Sequence, residues 1–360
     1  MQPTQIVIDN IRQHGPLSFR DFMETALYHP VCGYYCSSTE RIGTTGDYLT
    51  SPEISPVFGA LVARQIEQLW TLTPESPYTI VEFGGGNGKL CRDILSYLKS
   101  NPALYNNLSY FIVEKNHTMR KTQNQPFDPK VTWVDSVDLI PPFSGCVISN
   151  ELVDNLAVHQ VIMQDELMEI LVDYTDGVFV ERLVPASTPL KDYFSELNIS
   201  LPKGFRTEVN LDAKKWLREV ASLLQSGYVI TIDYGGTSSE LYAQHRCDGT
   251  IMCYKNHVRS HDPYTGIGCK DITAHVNFSA LVHFGKKYGL SNCGLTSQAS
   301  FLLGLGLMGF LRSCNDRKIT DGQHSTAVLQ ALVMEMGMKF KVLIQKKGRV
   351  AEEKLLGLSL

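Results

Sequence analysis

The chain has no Cys-x-x-Cys pair, although it carries nine cysteines in 360 residues. Cys32 with Cys36, and Cys247 with Cys253, have spacings a metal can use. No second pair at zinc-finger spacing accompanies either. An odd cysteine count with no paired framework points to reduced thiols and a reducing compartment. No run approaches the ~18 apolar residues of a membrane-spanning helix, so no membrane span is expected. The formal net charge is −4, which leaves no global basic field for nucleic acid. Residues 1–15 include Asp9 and lack an apolar core segment, which argues against a secretory signal. They are also poor in Arg and Ser for a mitochondrial presequence. Internal repeats and low-complexity tracts are absent. A composition of 43% hydrophobic and 19% charged residues suits a soluble globular protein, either one large domain or a core with a smaller attachment.

Two familiar phosphate loops are missing as well. A Walker loop needs Gly-x-x-x-x-Gly-Lys-Ser/Thr, but Phe83 stands at the first Gly and Leu90 replaces the hydroxyl residue. The dinucleotide fingerprint needs Gly-x-Gly-x-x-Gly, and Lys89 occupies its third glycine. What the chain does have, at Tyr78 to Ser100, is a short β-branched run, a glycine cluster, and then Leu90, Ile94 and Leu98 at helical spacing with Cys91 and Leu95 widening the stripe. This predicts strand, tight turn, helix. Glu82 ends the strand, and Gly84, Gly86 and Gly88 follow at alternate positions. Glycines let the main chain take positive φ and let a ligand approach it. The Glu82-x-Gly84-x-Gly86-x-Gly88 pattern resembles the first motif of class I S-adenosylmethionine methyltransferases, whose cofactor carries an ammonium and a sulfonium but no phosphate. NAD binding and a purely structural turn are the competing readings.

Along the chain, helices are expected at 4–13 and 18–28, broken by Gly15-Pro16, with Ser18 capping the second. A loop follows over 43–47. Thr50-Ser51-Pro52-Glu53 fits a capping box for a helix reaching about Trp70. Glu53 is then either that cap or part of a Gly46–Glu53 segment folded over a cofactor, with Thr50 and Ser51. Strands are predicted at 110–113, 131–134, 146–149 and 228–232. Strands alternating with helices argue a parallel, doubly wound sheet whose ligands sit at strand carboxyl ends. Glu82, Glu114, Asp135 and Asn150-Glu151 fall at such ends. Glu114 suits a ribose diol, unless it is a solvated surface residue, and Asp135 with Ser136 suits the adenine side. Residues 158–184 alternate like an inserted antiparallel ribbon. Residues 237–270 are poor in aliphatics and read as a functional loop. Further helices are expected at 276–288, 301–311 and 325–336, with strands near 290–296 and 340–344.

Several blocks together resemble the MidA-like methyltransferases. They are Gly46-Asp-Tyr-Leu-Thr-Ser-Pro-Glu-Ile-Ser-Pro-Val-Phe-Gly59, Val81-Glu-Phe-Gly-Gly-Gly-Asn-Gly88, Asn150-Glu-Leu-Val-Asp-Asn-Leu156, Ile232-Asp-Tyr-Gly235 and Asp271-Ile-Thr-Ala-His-Val-Asn-Phe278. The resemblance spans about residues 16–345. It departs from the family pattern at Gly85 and Ala157, and at Asn277, where an Asp is usual. It implies a class I methyltransferase, a Rossmann-like doubly wound α/β sheet with an N-terminal helical segment and an inserted β/helical subdomain. The expected segments are 1–77, a first core half 78–157, the insert 158–207, a second core half 208–350 and a tail 351–360. S-adenosyl-L-methionine is the implied cofactor. The implied partner is a protein substrate, since eukaryotic members of the family dimethylate an arginine on a respiratory complex I subunit and assist complex I assembly. A homodimer through the insert stays open. The compartment is the cytoplasm for a bacterial protein and the mitochondrial matrix for a processed eukaryotic one.

An arginine nucleophile is a guanidinium with a pKa above about 12. It needs carboxylates to orient it. Glu151 and Asp154, three apart beyond the fourth strand, are the first candidates, on the expectation that one helical turn puts both on one face. A capping or surface pair is the plainer alternative. Asp233, Asp271 and His275 are secondary candidates, and His275 equally suits a structural, hydrogen-bonded role. The leading function is protein arginine methylation, and the alternative is a non-catalytic, cofactor-binding assembly chaperone.

Overall fold

Tyr78–Phe83 is buried at all six positions, as a strand covered on both faces must be. In the computed structural model it is an inner strand of a mixed sheet and is labelled β1. The structure describes residues 2–36, 43, 46–47, 49–73, 75, 77–115, 127–316 and 322–360. Its strands include β1, β2 (Leu108–Val113), β3 (Val131–Val134), β4 (Phe143–Asn150), β5 (Leu224–Gly236), β6 (Ser291–Ser297) and β7 (Phe340–Lys347). They lie in the order β6-β7-β5-β4-β1-β2-β3. Strands β1 to β5 pair in parallel. The expectation of a parallel sheet fails at one side, where β7 runs antiparallel to both β5 and β6. The order reverses beside β1, with β2 on one flank and β4 on the other. Ligands of open α/β sheets sit beyond the carboxyl ends of the strands at such a reversal.

The chain divides into two compact units. The sheet belongs to the unit of residues 49–152, 217–235 and 284–360. Its core gathers Ile80, Ile112, Ile148, Ile230 and Val342 from the strands, and Phe58, Leu61 and Ile66 from the helix Pro56–Leu72. The expected stripe of Leu90, Cys91, Ile94, Leu95 and Leu98 is the buried face of the helix Lys89–Leu98. The other unit comprises residues 1–48, 153–216 and 236–283. It holds the helices Pro3–His14 and Phe19–Tyr28, and Ser18 caps the second by accepting from the Asp21 N–H. The ribbon expected from alternation is present as His159–Met163, Leu167–Thr175 and Val178–Pro185, all antiparallel. Its core includes Phe19, Phe22, Val158, Val172, Ile251 and Ile272. The five sequence segments thus regroup, since the N-terminal helices, the ribbon and residues 236–283 form one unit.

Several elements differ from expectation. The helix starting at residue 51 is two helices, Ser51–Ile54 and Pro56–Leu72. Ser55 between them is extended and caps the second through its side chain. Residues 237–270 contain a short helix, Ser238–Leu241, and the strands Met252–Lys255 and Val258–Ser260, the first of which pairs with Asp271–Thr273. The helix after Val276 begins at Phe278. The span 301–311 breaks at Gly306, where φ is 85°, into Gln298–Gly304 and Leu307–Asp316. The span 325–336 is helical only to Leu329 and continues as a π-type turn, Gln330–Glu335. Thr44 and Thr45 of the expected loop, and Tyr48, lie outside the described residues.

Candidate functional site

Beyond Phe83 the chain turns sharply. Gly84, Gly86 and Gly88 have φ of 71°, 51° and 72°, the left-handed region that side chains resist. A Cβ on Gly84 would lie 2.9 Å from the Leu152 side chain, and one on Gly88 2.4 Å from that of Phe127. The Gly84 N–H donates to the Val113 carbonyl at 3.0 Å and the Gly88 N–H to the Gly85 carbonyl at 2.7 Å. Asn87 fastens the turn on two sides. Its Oδ1 accepts the Lys89 N–H at 3.0 Å, and its Nδ2 donates to Glu53 Oε1 at 2.8 Å. The capping box weighed for Glu53 is not completed, since Thr50 makes no side-chain cap bond, and the Glu53 carboxylate instead accepts from Asn87. Lys89, which replaces the third fingerprint glycine, pairs with Asp93 one helical turn on.

Glu82 lies inside the sheet, 3% exposed, with the Tyr110 hydroxyl donating to its Oε2 at 2.6 Å. Burial pushes its carboxyl up to about 7, and the nearby Glu114 charge adds to the shift, while the Tyr110 bond opposes it. Glu114 is half-buried at the tip of β2. The Gly86 N–H donates to its Oε2 at 3.2 Å, and its own N–H donates to the Val134 carbonyl. Asp135 is exposed at the end of β3, and Ser136 next to it caps a short 3-10 turn by accepting the Asp138 N–H.

At the end of β4 Asn150 and Glu151 turn back toward the glycine side. Glu151 has φ of 53°, uncommon for a residue with a long side chain. Its N–H donates to the Ile232 carbonyl at 2.9 Å, which holds the backbone there. Its Oε1 accepts from the Ser51 N–H and from Asn150 Nδ2, both at 3.1 Å. Asn150 Oδ1 is buried with no hydrogen-bond partner among the described residues. The Ser51–Ile54 segment thus touches Glu151 through Ser51 and the glycine turn through Glu53. Sequence reading missed Asn87 and Gln298 here. Gln298 accepts the Ser51 hydroxyl at 3.2 Å across 247 residues of chain, and no local pattern announces such a contact. Asp233, on β5, is fully buried and takes the Tyr234 N–H at 2.9 Å.

Asp154, Asp271 and His275 belong to the other unit. Asp154 lies in a 3-10 turn, Val153–Asn155, and its main-chain carbonyl accepts the Ala274 N–H. With Glu151 left-handed and only a three-residue turn after it, the expected helical face carrying both acids does not form. Asp271 accepts the Tyr35 hydroxyl at 2.8 Å, and burial raises its carboxyl to about 7. His275 faces Arg246 at 3.0 Å. Burial, then the Arg246 charge, lowers the imidazole to about 4, so it is neutral at pH 7. Asn277 caps the helix Phe278–Lys287 by accepting the Ala280 N–H, takes the Ser238 hydroxyl at the same oxygen, and donates to the hydroxyls of Tyr193 and Tyr242. A carboxylate in its place would have to accept from both tyrosines. Among the described residues no group of three or more His, Cys, Asp or Glu is arranged to hold a metal ion, and no helix is long and apolar enough to cross a membrane.

A family model described as "Putative S-adenosyl-L-methionine-dependent methyltransferase" matches residues 61–296. The chain is 28% identical over 326 residues to the Drosophila melanogaster "Protein arginine methyltransferase NDUFAF7 homolog, mitochondrial", a match covering 80% of this chain and 71% of that one. It is 26% identical over 333 residues to the Homo sapiens "Protein arginine methyltransferase NDUFAF7, mitochondrial", covering 82% and 71%. A crystal structure of a Burkholderia thailandensis protein bound to S-adenosyl-homocysteine superposes with a TM-score of 0.90 at 30% identity, covering 99% of this chain and 94% of that one.

Proposed function

We propose, from the premise that the chain belongs to the S-adenosyl-L-methionine-dependent methyltransferase family whose model matches residues 61–296, that its acceptor is an arginine side chain of a protein. The chain is an enzyme with the class I methyltransferase fold, and S-adenosyl-L-methionine is its cofactor. The residues at the carboxyl edge of the sheet fit that molecule. A turn with left-handed glycines lets a ligand approach the main chain. Asn150 Oδ1 is a buried acceptor that wants a donor such as an ammonium. In this reading Gly84 to Gly88 cradle the cofactor, Glu82 holds the turn from beneath, Glu114 accepts from the ribose diol, and Asp135 with Ser136 lies on the adenine side. Thr50, Ser51 and Glu53 border the same place.

When bound, the cofactor supplies a methyl group on a sulfonium and leaves as a neutral thioether. The protein has to hold the acceptor nitrogen in line and take away its proton. The observation that carries the arginine reading is Glu151, whose carboxylate is fixed by two N–H donors on a left-handed backbone beside the glycine turn. A carboxylate so placed grips a guanidinium by charge-assisted bonds and leaves one nitrogen to attack. The names of the relatives support a protein acceptor. A respiratory complex I subunit is the first to try, with cytoplasm or mitochondrial matrix as the compartment. Labelled-methyl transfer into lysate protein, followed by mass spectrometry of the modified residue, tests this. Methylarginine is expected, and label confined to another residue type or to small molecules contradicts it.

A further inference from the structure

Gln298 is fully buried, and so is Ser51. A primary amide sealed from water is costly unless both of its ends are hydrogen-bonded. Gln298 meets that condition in one orientation. Its Nε2 donates to the Leu332 carbonyl at 3.3 Å, inside the π-type turn Gln330–Glu335, so its Oε1 faces Ser51 and accepts the hydroxyl at 3.2 Å. Ser51 is the first residue of the helix Ser51–Ile54, so no helical carbonyl takes its N–H. That N–H goes to Glu151 Oε1. The chain of contacts runs from a helix start, through one hydroxyl-bearing residue, to the carboxylate assigned to the acceptor. Two residues on, Glu53 of the same segment is tied to Asn87 of the glycine turn. The segment therefore has three anchors: the turn, Glu151 and Gln298.

We propose that Gln298 is a positioning residue for methyl transfer, which fixes Ser51 so that its N–H sets the Glu151 carboxylate at the acceptor. This rests on the reading of Glu151 given above. Gln298 touches neither cofactor nor acceptor in this role and acts only through Ser51. Loss of the link leaves the Ser51 N–H free to wander, so Glu151 loses one of its two named donors and its alignment. Poor alignment lowers turnover rather than cofactor affinity.

The test uses the full chain and labelled-methyl transfer from S-adenosylmethionine into lysate protein, with melting temperature and cofactor affinity measured on each variant. Ser51→Ala keeps the N–H and removes only the hydroxyl, so it is the variant least able to upset the fold. Gln298→Leu removes the amide. Each is expected to lower kcat about tenfold with the apparent cofactor KM within about twofold. Gln298→Leu is expected to add nothing to Glu151→Gln, because its effect passes through that carboxylate. A wild-type kcat in Ser51→Ala and Gln298→Leu overturns the proposal, as does an equal fold-loss from Gln298→Leu with and without Glu151→Gln. Full turnover by Glu151→Gln alone overturns the arginine reading itself, and this proposal with it. An impaired Glu151→Gln beside a wild-type Ser51→Ala overturns the positioning role alone.

Discussion

The two units differ in where they leave acidic residues within reach of a ligand: both seal some, Glu82 and Asp233 in the sheet unit among them, but only the sheet unit also holds motif acids half-open. In the ribbon unit the acids of the sequence blocks are sealed: Asp47, Asp154 and Asp271 are 4%, 3% and 3% exposed. Asp47 takes the Tyr34 hydroxyl and the Asn256 N–H, and Asp271 takes the Tyr35 hydroxyl. In the sheet unit, Glu53, Glu114 and Glu151 stand half-buried at or beside strand ends, each holding at least one N–H from the turn or from the 51–54 segment. A sealed carboxylate fixes loops against one another. A half-open one stays within reach of a ligand. Sequence blocks alone do not make that distinction, since both kinds of acid sit in equally recognisable motifs.

The largest effect expected is on the turn that organises the half-open acids. Gly86→Val places a β-branched residue at φ of 51°, which valine strongly resists. Cofactor binding should vanish in calorimetry while the ribbon unit keeps its structure. Retained affinity would detach the turn from the cofactor.

Sealed acids should show themselves through pH. Glu82 has its carboxyl raised from 4.5 to about 7, and Asp271 from 3.8 to about 7, chiefly by burial. The folded chain then holds protons that the unfolded chain releases near 4.5 and 3.8. Stability from each group is present below those values and falls as pH rises toward 7. For Glu82 the loss is on the order of 3 kcal/mol. Glu82→Gln and Asp271→Asn should each flatten the decline of melting temperature between pH 5 and pH 7, relative to wild type. An unchanged slope would mean these acids are ionised inside the fold.

A smaller effect belongs to Glu114. Glu114→Ala should weaken cofactor binding by roughly 1.5–3 kcal/mol, the scale of a charged hydrogen bond, with melting temperature little changed. An unaltered dissociation constant would move Glu114 from the half-open group to plain surface.

Much of the sheet unit could be read in advance because its signals are local. The alternate glycines, the stripe from Leu90 to Leu98 and the acids at strand tips all lie within a few residues of what they specify. The ribbon at 158–184 was equally legible through its alternation. Other features were not. Ser55-Pro56 is itself a cap followed by a proline suited to a first turn, but the stronger-looking box at Thr50 to Glu53 masked it. The strands Met252–Lys255 and Val258–Ser260 are short and carry Cys, Tyr, Lys, Arg and Ser rather than an aliphatic run, so composition alone suggested loop. The antiparallel placement of β7, the Gln298 contact and the sealing of Asp271 by Tyr35 all depend on residues far apart in the chain.

The arginine mechanism depends on the charge of Glu151, and one sample tests it. Glu151→Gln keeps size and hydrogen-bonding capacity and removes the charge. On that protein, methyl transfer to lysate arginine, cofactor affinity and melting temperature are to be measured together. The mechanism predicts turnover reduced by about a hundredfold or more, with cofactor affinity and melting temperature near wild type. Full turnover per folded molecule with stability lowered by about 1 kcal/mol would contradict it and leave Glu151 a structural cap.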